Sequence, residues 1–135
     1  MILDKTNMFS EAQACTGTKT AIASTNTIDL GTDGAPSGGM WLVVNVDTVF
    51  AGTAASTLSI ALQSDDDSAC GSATTLQTFS IALATLAASA NVVKAPLPSI
   101  TERYLRLTYT TSVSMSTGKL DAFLVMDPQT NLTGL

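Results

Sequence analysis

Apolar and polar residues alternate along much of the chain, and this period of two predicts β-strands. The alternation is clearest in three segments, TLSIALQS at 57–64, RYLRLTYT at 103–110 and KLDAFLVMD at 119–127. In the first of these, Leu58, Ile60 and Leu62 share one face of the predicted strand. A fourth segment, GMWLVVNVDTV at 39–49, begins as an apolar run and then alternates. We expect it to be a strand that enters the core from a buried edge.

Three weaker strands are predicted at TNTIDLG (25–31), QTFSIALA (77–84) and SANVVKAPLP (89–98). An Ala-rich helix over 81–90 is the competing interpretation, but Thr85, Ser89 and the β-branched flanks favour a strand. Turn-forming clusters separate the strand-length segments, and no long amphipathic helix is evident. The pattern therefore predicts an all-β fold, a jelly-roll-like antiparallel β-sandwich in which residues 1–135 form a single domain.

Few residues of this chain carry charge. Charged side chains make up 13% of the sequence and apolar ones 45%, whereas soluble domains average about 25% charged residues. Ser and Thr supply about a quarter of the chain, so much of its polarity is neutral hydroxyl. We expect part of such a surface to be covered by another copy of the chain or by another protein.

The composition also excludes several classes of function. The net charge is −5 and the six basic residues are scattered, so no basic face is available for nucleic acid. There is no histidine, which removes the commonest general base and metal ligand, and we expect neither an enzyme nor a cofactor. No apolar run approaches the ~20 residues of a membrane helix. The N-terminus, with Asp4 and Lys5, is not typical of a signal peptide, so synthesis in the cytoplasm is expected.

Cys15 and Cys70 are far apart in sequence and form no CxxC pair. One disulfide between them is conceivable on sequence grounds. Two free, partly buried thiols are the favoured interpretation for a protein made in a reducing compartment.

The segment LQSDDDS at 62–68 places three carboxylates side by side. Asp65 and Asp67 would point the same way on an extended backbone, which leaves a weak possibility of a calcium site. The favoured interpretation is a turn, because Asp and Ser hydrogen-bond to their own backbone. A hydrolytic acid pair would have to be remote in sequence, and Glu102 with Asp121 is the pair we consider.

Two sets of residues are candidates for protein interfaces. The N-terminal segment 1–15 is apolar at Ile2, Leu3, Met8 and Phe9 and is predicted to be extended, outside any strand, and to pack across a subunit boundary. Arg103 and Arg106 flank Tyr104 and are either solvated strand charges or interface anchors, since Arg is enriched at interfaces.

Four short motifs, in order along the chain, resemble those of a known family. They are FS-AQA (Phe9, Ser10, Ala12, Gln13, Ala14), ST–IDLG (Ser24, Thr25, Ile28 to Gly31), L-LQ-SDD (Leu62 to Asp66) and ERYLRLTYT (Glu102 to Thr110). Together these motifs resemble the Bbp16-like capsid cement, or decoration, proteins of tailed bacteriophages.

The resemblance implies a jelly-roll sandwich that forms a homo-oligomer, with a dimer favoured and a trimer possible. It further implies a place on the exterior of an icosahedral virion shell, where the protein bridges and stabilises neighbouring major capsid proteins. The alternative function is a jelly-roll carbohydrate-binding module on a virion or a secreted protein. Glycan sites usually present exposed aromatic side chains, and these are only 5% of this sequence.

Overall fold

The computed structural model of the chain describes residues 4–16, 21–32, 39–100 and 102–126. Within them lie two 3-10 turns, Lys5–Asn7 and Leu83–Thr85, and nine strands. The strands are β1 (Met8–Ala14), β2 (Ile22–Ala23), β3 (Ile28–Asp29), β4 (Trp41–Ala51), β5 (Thr57–Asp65), β6 (Thr74–Ala82), β7 (Asn91–Pro96), β8 (Tyr104–Thr111) and β9 (Thr117–Val125).

The strands form two antiparallel sheets. One sheet has the order β1-β9-β4-β7, and the other has the order β2-β8-β5-β6, with β3 also paired to β8. Within the described residues the edges of the first sheet are β1 and β7, and those of the second are β2 with β3 on one side and β6 on the other. The predicted all-β sandwich of antiparallel sheets is confirmed.

One hydrophobic core joins the inner faces of the two sheets. Leu58, Ile60 and Leu62 of β5 are fully buried, as their alternation predicts. From the other sheet, β4 contributes Leu42, Val44 and Val46, and β9 contributes Leu120, Ala122 and Leu124. The period of two therefore identified the inward-facing residues, because successive side chains on a strand point to opposite faces of the sheet.

The predicted strands differ from the observed ones mainly in the weaker regions. The alternative helix over 81–90 is not formed: β6 runs to Ala82, one 3-10 turn follows, and β7 begins at Asn91. The segment 25–31 contributes only the two residues of β3. The strands β1 and β2 were not predicted. Among the described residues there is no helix long and apolar enough to cross a bilayer.

Candidate interaction surfaces

The three neighbouring aspartates lie where β5 ends and a turn begins. The Asp65 side chain is only 7% exposed, and its two oxygens accept hydrogen bonds from the backbone N–H groups of Asp67 (3.0 Å) and Ser72 (2.9 Å). These bonds hold the pKa of Asp65 below its usual value. Asp67 accepts a further bond from the N–H of Ala69 (3.2 Å). Asp65 and Asp67 therefore organise this turn, which is the interpretation that the sequence favoured.

This geometry weakens the calcium hypothesis for Asp65 and Asp67, since both oxygens of Asp65 already accept backbone hydrogen bonds. No group of three or more Cys, Asp or Glu side chains that could hold a metal ion occurs in the described part of the chain.

The carboxyls of the candidate hydrolytic pair belong to different sheets. Glu102 immediately precedes β8 and accepts a hydrogen bond from the Ser64 hydroxyl of the neighbouring strand β5. Asp121 lies in β9 of the opposite sheet and accepts a bond of 2.6 Å from the backbone N–H of Ala12 in β1. Each carboxyl thus supports local structure in its own sheet, and no hydrogen bond between the two is observed.

Arg103 binds a carboxylate in a two-pronged arrangement. Its Nε and Nη2 atoms donate to the two oxygens of Asp29 at 2.7 and 2.8 Å, and its guanidinium carbon lies 5.1 Å from the centre of the Tyr104 ring. The hydrogen bond from Arg103, together with one from the N–H of Gly31, lowers the pKa of Asp29 to about 2. Both side chains remain about two-fifths exposed, so solvent screens this pair.

Arg106 projects from the outer face of the five-stranded sheet. Its register partner on β5 is Gln63, and its Nε donates to the Gln63 Oε1 at 2.9 Å. Arg103 and Arg106 are each half-buried and engaged within the chain. Their assignment as interface anchors stays a prediction.

The N-terminal segment differs from its predicted form. Met8 and Phe9 lie in a strand, because β1 pairs with β9, and β1 was expected to lie outside any strand. Phe9 is 0% exposed and packs in the chain's own core, so its assignment as a residue that contacts another subunit is wrong. Met8 points to the other face of the sheet, and Ile2 and Leu3 lie outside the described residues.

The outer face of the four-stranded sheet carries a second, smaller apolar cluster. Val43, Phe123 and Val125 are buried there, and half-buried Met8 and Trp41 pack against them. This cluster explains the continuous apolar run at the start of β4. Successive residues of β4, which point to opposite faces of the sheet, are all apolar here because side chains on both faces are buried.

The outer face of the five-stranded sheet has a different character. Its central strand β5 presents Thr57, Ser59 and Ala61, and β6 presents Thr78 and Ser80 opposite them. These side chains are small, neutral and half-buried or exposed. This outer face thus presents mainly small hydroxyl side chains along β5 and β6.

A polar network that runs from a buried hydroxyl pair to the surface ties the two sheets together along the side that β1 and β2 share. The Ser10 hydroxyl on β1 is 2.7 Å from the Tyr109 hydroxyl on β8 and donates to Gln13 Oε1 at 2.5 Å. Gln13 Oε1 also accepts from the N–H of Thr25 at 2.9 Å, and its Nε2 donates to the carbonyl of Ala23 at 2.7 Å. Burial raises the pKa of Tyr109. We call this set, Ser10, Gln13, Ala23, Thr25 and Tyr109, the inter-sheet clasp.

Sequence reasoning did not identify the inter-sheet clasp as a unit, although four of its members were quoted among the family-like motifs. Ser10 and Gln13 belong to FS-AQA, Thr25 belongs to ST–IDLG, and Tyr109 belongs to ERYLRLTYT. The sequence signal that could have pointed to them is the presence of polar residues, such as Ser10 and Gln13, among apolar residues of a short motif. The pairing itself could not be predicted, because Ser10 and Tyr109 are 99 residues apart.

Both cysteines are free and buried. Burial raises the pKa of the Cys15 thiol to about 12 and also raises the pKa of Cys70. The favoured expectation of two free thiols agrees with this placement. Neither thiol is poised to act as a nucleophile, since the reactive species is the thiolate.

One open depression of about 450 Å³ lies near the N-terminus, lined by Lys5, Thr6, Met8, Asn26, Thr27 and Asp29. Its described lining contains no aromatic side chain on which a sugar ring could stack. This depression therefore gives no support to the alternative carbohydrate-binding function.

Comparison with known proteins adds one finding. The model of a single protein family, described as Bbp16, matches residues 9–124 of the chain. The match begins at Phe9 in β1 and ends at Leu124 in β9, so it covers both sheets and the inter-sheet clasp. No curated protein matches the chain.

Proposed function

Because the chain belongs to the Bbp16 family, we propose that it is a structural phage protein that acts as capsid cement. It binds the exterior of an icosahedral shell and bridges neighbouring major capsid proteins, which stabilises the shell. The family match over residues 9–124 is the observation that carries this proposal. The resemblance of its motifs to those of phage cement proteins supplies the specific role.

The strand order supports the jelly-roll form of the sandwich. If β2 and β3 count as one strand, the described residues form eight strands. The first, eighth, third and sixth then form one sheet, and the second, seventh, fourth and fifth form the other. This is the order expected when two Greek keys fold over each other. The result is a stiff body with two broad outer faces.

Such a body can act as cement without any chemistry at its surface. A contact of about 800 Å² per partner is enough for specific binding between proteins. If two copies associate and each holds one capsid protein, the second contact becomes intramolecular, and apparent affinity rises by ~10²–10⁴. We therefore include a homodimer in the proposal, with the trimer as the alternative assembly.

The charge of the protein agrees with an exterior position. Its net charge of −5 would make contact with packaged nucleic acid electrostatically unfavourable, because nucleic acid is itself strongly negative. The low charge fits a protein whose surface is partly covered by neighbours, because charged residues are depleted at the centres of interfaces.

An add-back experiment tests the proposal. Purified protein is mixed with phage shells that lack it, and bound protein is measured by sedimentation, with resistance of the shells to heat as a second readout. We expect saturable binding to the shell exterior and a higher temperature of shell disruption. Absence of binding to intact shells of the cognate phage would refute the cement function.

The predicted interface role of the N-terminal segment needs a deletion that spares β1. Removal of residues 1–7 leaves the strand Met8–Ala14 complete. If the segment packs on a neighbour, the truncated protein keeps its fold but loses shell occupancy or self-association. The control is Lys5→Ala, which removes only the surface ion pair between Lys5 and Glu11. Equal behaviour of truncated and full-length protein would remove this role.

A further inference from the structure

Strand β6 forms an edge that lacks most of the usual protection against pairing with another strand. Within the described residues, β5 is the only strand that pairs with β6. Strand β6 is nine residues long and contains neither proline nor a charged residue. It is the centre of an uncharged run, residues 68–93. A long neutral edge with unpaired backbone groups is a template for pairing with another strand.

The other edge strands of the sandwich carry features that hinder pairing with a further strand. Strand β1 carries Glu11, a positive φ of 46° at Ala12 and two irregularities in its register. Strand β7 carries Lys94 and ends at Pro96. Strands β2 and β3 are two residues each. Charge, proline, bulges and short length are the devices by which proteins prevent edge pairing. Of these, β6 has only one bulge, at Leu76, and its pairing with β5 is regular from Gln77 to Ala82.

The side chains of β6 also remain incompletely covered. Leu76 and Phe79 pack against the core but are only half-buried, and Thr75, Thr78 and Ser80 are exposed. Thr and aromatic residues are favoured in strands, where they interact with residues directly opposite. A strand added beside β6 would cover Leu76 and Phe79 and meet a row of threonines.

We propose that β6 pairs with β6 of a second copy of the chain, antiparallel and about a twofold axis near Thr78, the middle residue of the strand. The pairing joins two four-strand paths, β2-β8-β5-β6, into one continuous eight-strand sheet across the dimer. This inference rests on the proposed function for its premise that the protein self-associates. It adds the surface through which that association occurs.

Symmetry and charge favour a second copy as the occupant. An antiparallel pair of identical strands places the same surface on both subunits, as a twofold interface requires. Two copies with a net charge of −5 each repel one another wherever acidic residues face acidic residues. Strand β6 lets them meet through a surface without carboxylates, over a length of ~30 Å.

Opposite charges at residue 78 test this pairing. In the proposed dimer the two copies of Thr78 lie about 4.5–5.5 Å apart, measured between Cα atoms. Thr78→Lys or Thr78→Glu therefore puts like charges face to face, and we expect each to weaken self-association about tenfold or more. Because Thr78 is exposed, neither change should disturb the fold. An equimolar mixture of the two variants should regain association as a heterodimer.

The matched controls are Asn91→Lys and Asn91→Glu, at an exposed and uncharged position of the β7 edge. These should leave self-association unchanged. Sedimentation equilibrium of all variants, alone and mixed, gives the oligomeric state, and circular dichroism reports the fold. Association that is insensitive to charge at residue 78, or a mixture that fails to recover, would overturn the proposal.

Binding to shells distinguishes this proposal from the function on which it rests. If wild-type protein binds shells but stays monomeric at all concentrations, the β6 pairing is overturned and the cement function stands. If the protein dimerises through β6 but ignores shells, the pairing stands and the cement function fails. If Thr78→Lys abolishes shell binding of a monomeric wild-type protein, β6 instead receives a strand of the capsid protein, which also overturns the dimer.

Discussion

The two sides of the sandwich differ in how their edges are finished. Along the β1–β2 side, the inter-sheet clasp and the hydrogen bond from the N–H of Asn26 to the carbonyl of Phe9 (2.9 Å) join the two sheets. Along β6, half-buried Leu76 and Phe79 and a row of exposed hydroxyls border an uncharged edge. On the β1–β2 side, polar residues form hydrogen bonds between the two sheets. On the other side, β6 has no second strand beside it within the described residues, and this is the side where we propose association.

Truncation of one phenylalanine on each side should show the largest difference. Phe9→Ala removes a fully buried ring next to the inter-sheet clasp, and we expect a loss of about 3–5 kcal/mol in the free energy of unfolding. Phe79→Ala removes a half-buried ring and should cost about 1–2 kcal/mol. Urea denaturation at low protein concentration measures both. Equal losses would contradict the assigned difference between the sides.

Removal of a hydroxyl group sharpens the same comparison. Tyr109→Phe leaves the Ser10 hydroxyl without its partner across the core, so we expect a loss of about 1–3 kcal/mol. Ser80→Ala removes an exposed hydroxyl of β6 and should stay within about 0.5 kcal/mol of wild type. The urea midpoints of the two variants provide the test. A neutral Tyr109→Phe would show that the inter-sheet clasp adds no stability.

Alkaline pH should lower the free energy of unfolding, in part through Tyr109 of the inter-sheet clasp and through Cys15. The folded-state pKa values of Tyr109 and Cys15 are both raised, the latter to about 12, so the unfolded chain loses these protons first. Stability is therefore complete below about pH 9 and falls as pH rises towards 12. We expect a shallower fall for Cys15→Ala and for Tyr109→Phe than for wild type. Urea titrations between about pH 8 and 11 measure these slopes. Equal slopes for the variants and wild type would contradict this expectation.

Acid pH should give the smallest effect, through the exposed pair of Asp29 and Arg103. The pKa of Asp29 is lowered to about 2, so its contribution is present above about pH 4 and is lost as pH falls towards 2. In Asp29→Asn this component should be absent, and the stability difference from wild type should shrink across that window. Arg103→Lys is the control that keeps the charge but not the two-pronged geometry.

The sequence predicts the central strands well and the edges poorly. In β5 burial alternates cleanly, because the strand has a neighbour on both sides and one face towards the core. In β9 the alternation is lost from Ala122 onwards, because Phe123 and Val125 are buried on the outer face. In β1 the register shifts between Met8 and Ser10 and again between Ser10 and Gln13, which breaks the period of two. That break concealed β1 and led to the wrong assignment of Phe9. Strands of two residues, such as β2, carry no detectable period.

The residue types of the candidate surfaces could be predicted from the sequence, but the positions of these surfaces in the fold could not. The low charge and abundance of Ser and Thr led us to expect a covered surface, which stays a prediction, and the uncharged run 68–93 coincides with the β6 edge. The position of that run at a sheet edge depends on strand order, which no local pattern specifies. The inter-sheet clasp likewise depends on contacts between residues remote in sequence.

Hydrogen exchange of the β6 amides tests the central distinction most directly. Exchange is followed for β6 and β1 in dilute protein, in concentrated protein and on shells. The account predicts that β6 exchange slows as protein concentration rises and stays slow on shells, while β1 exchange is independent of concentration. Exchange of β6 that is the same in all three states, or slowing confined to β1 or β7, would contradict it.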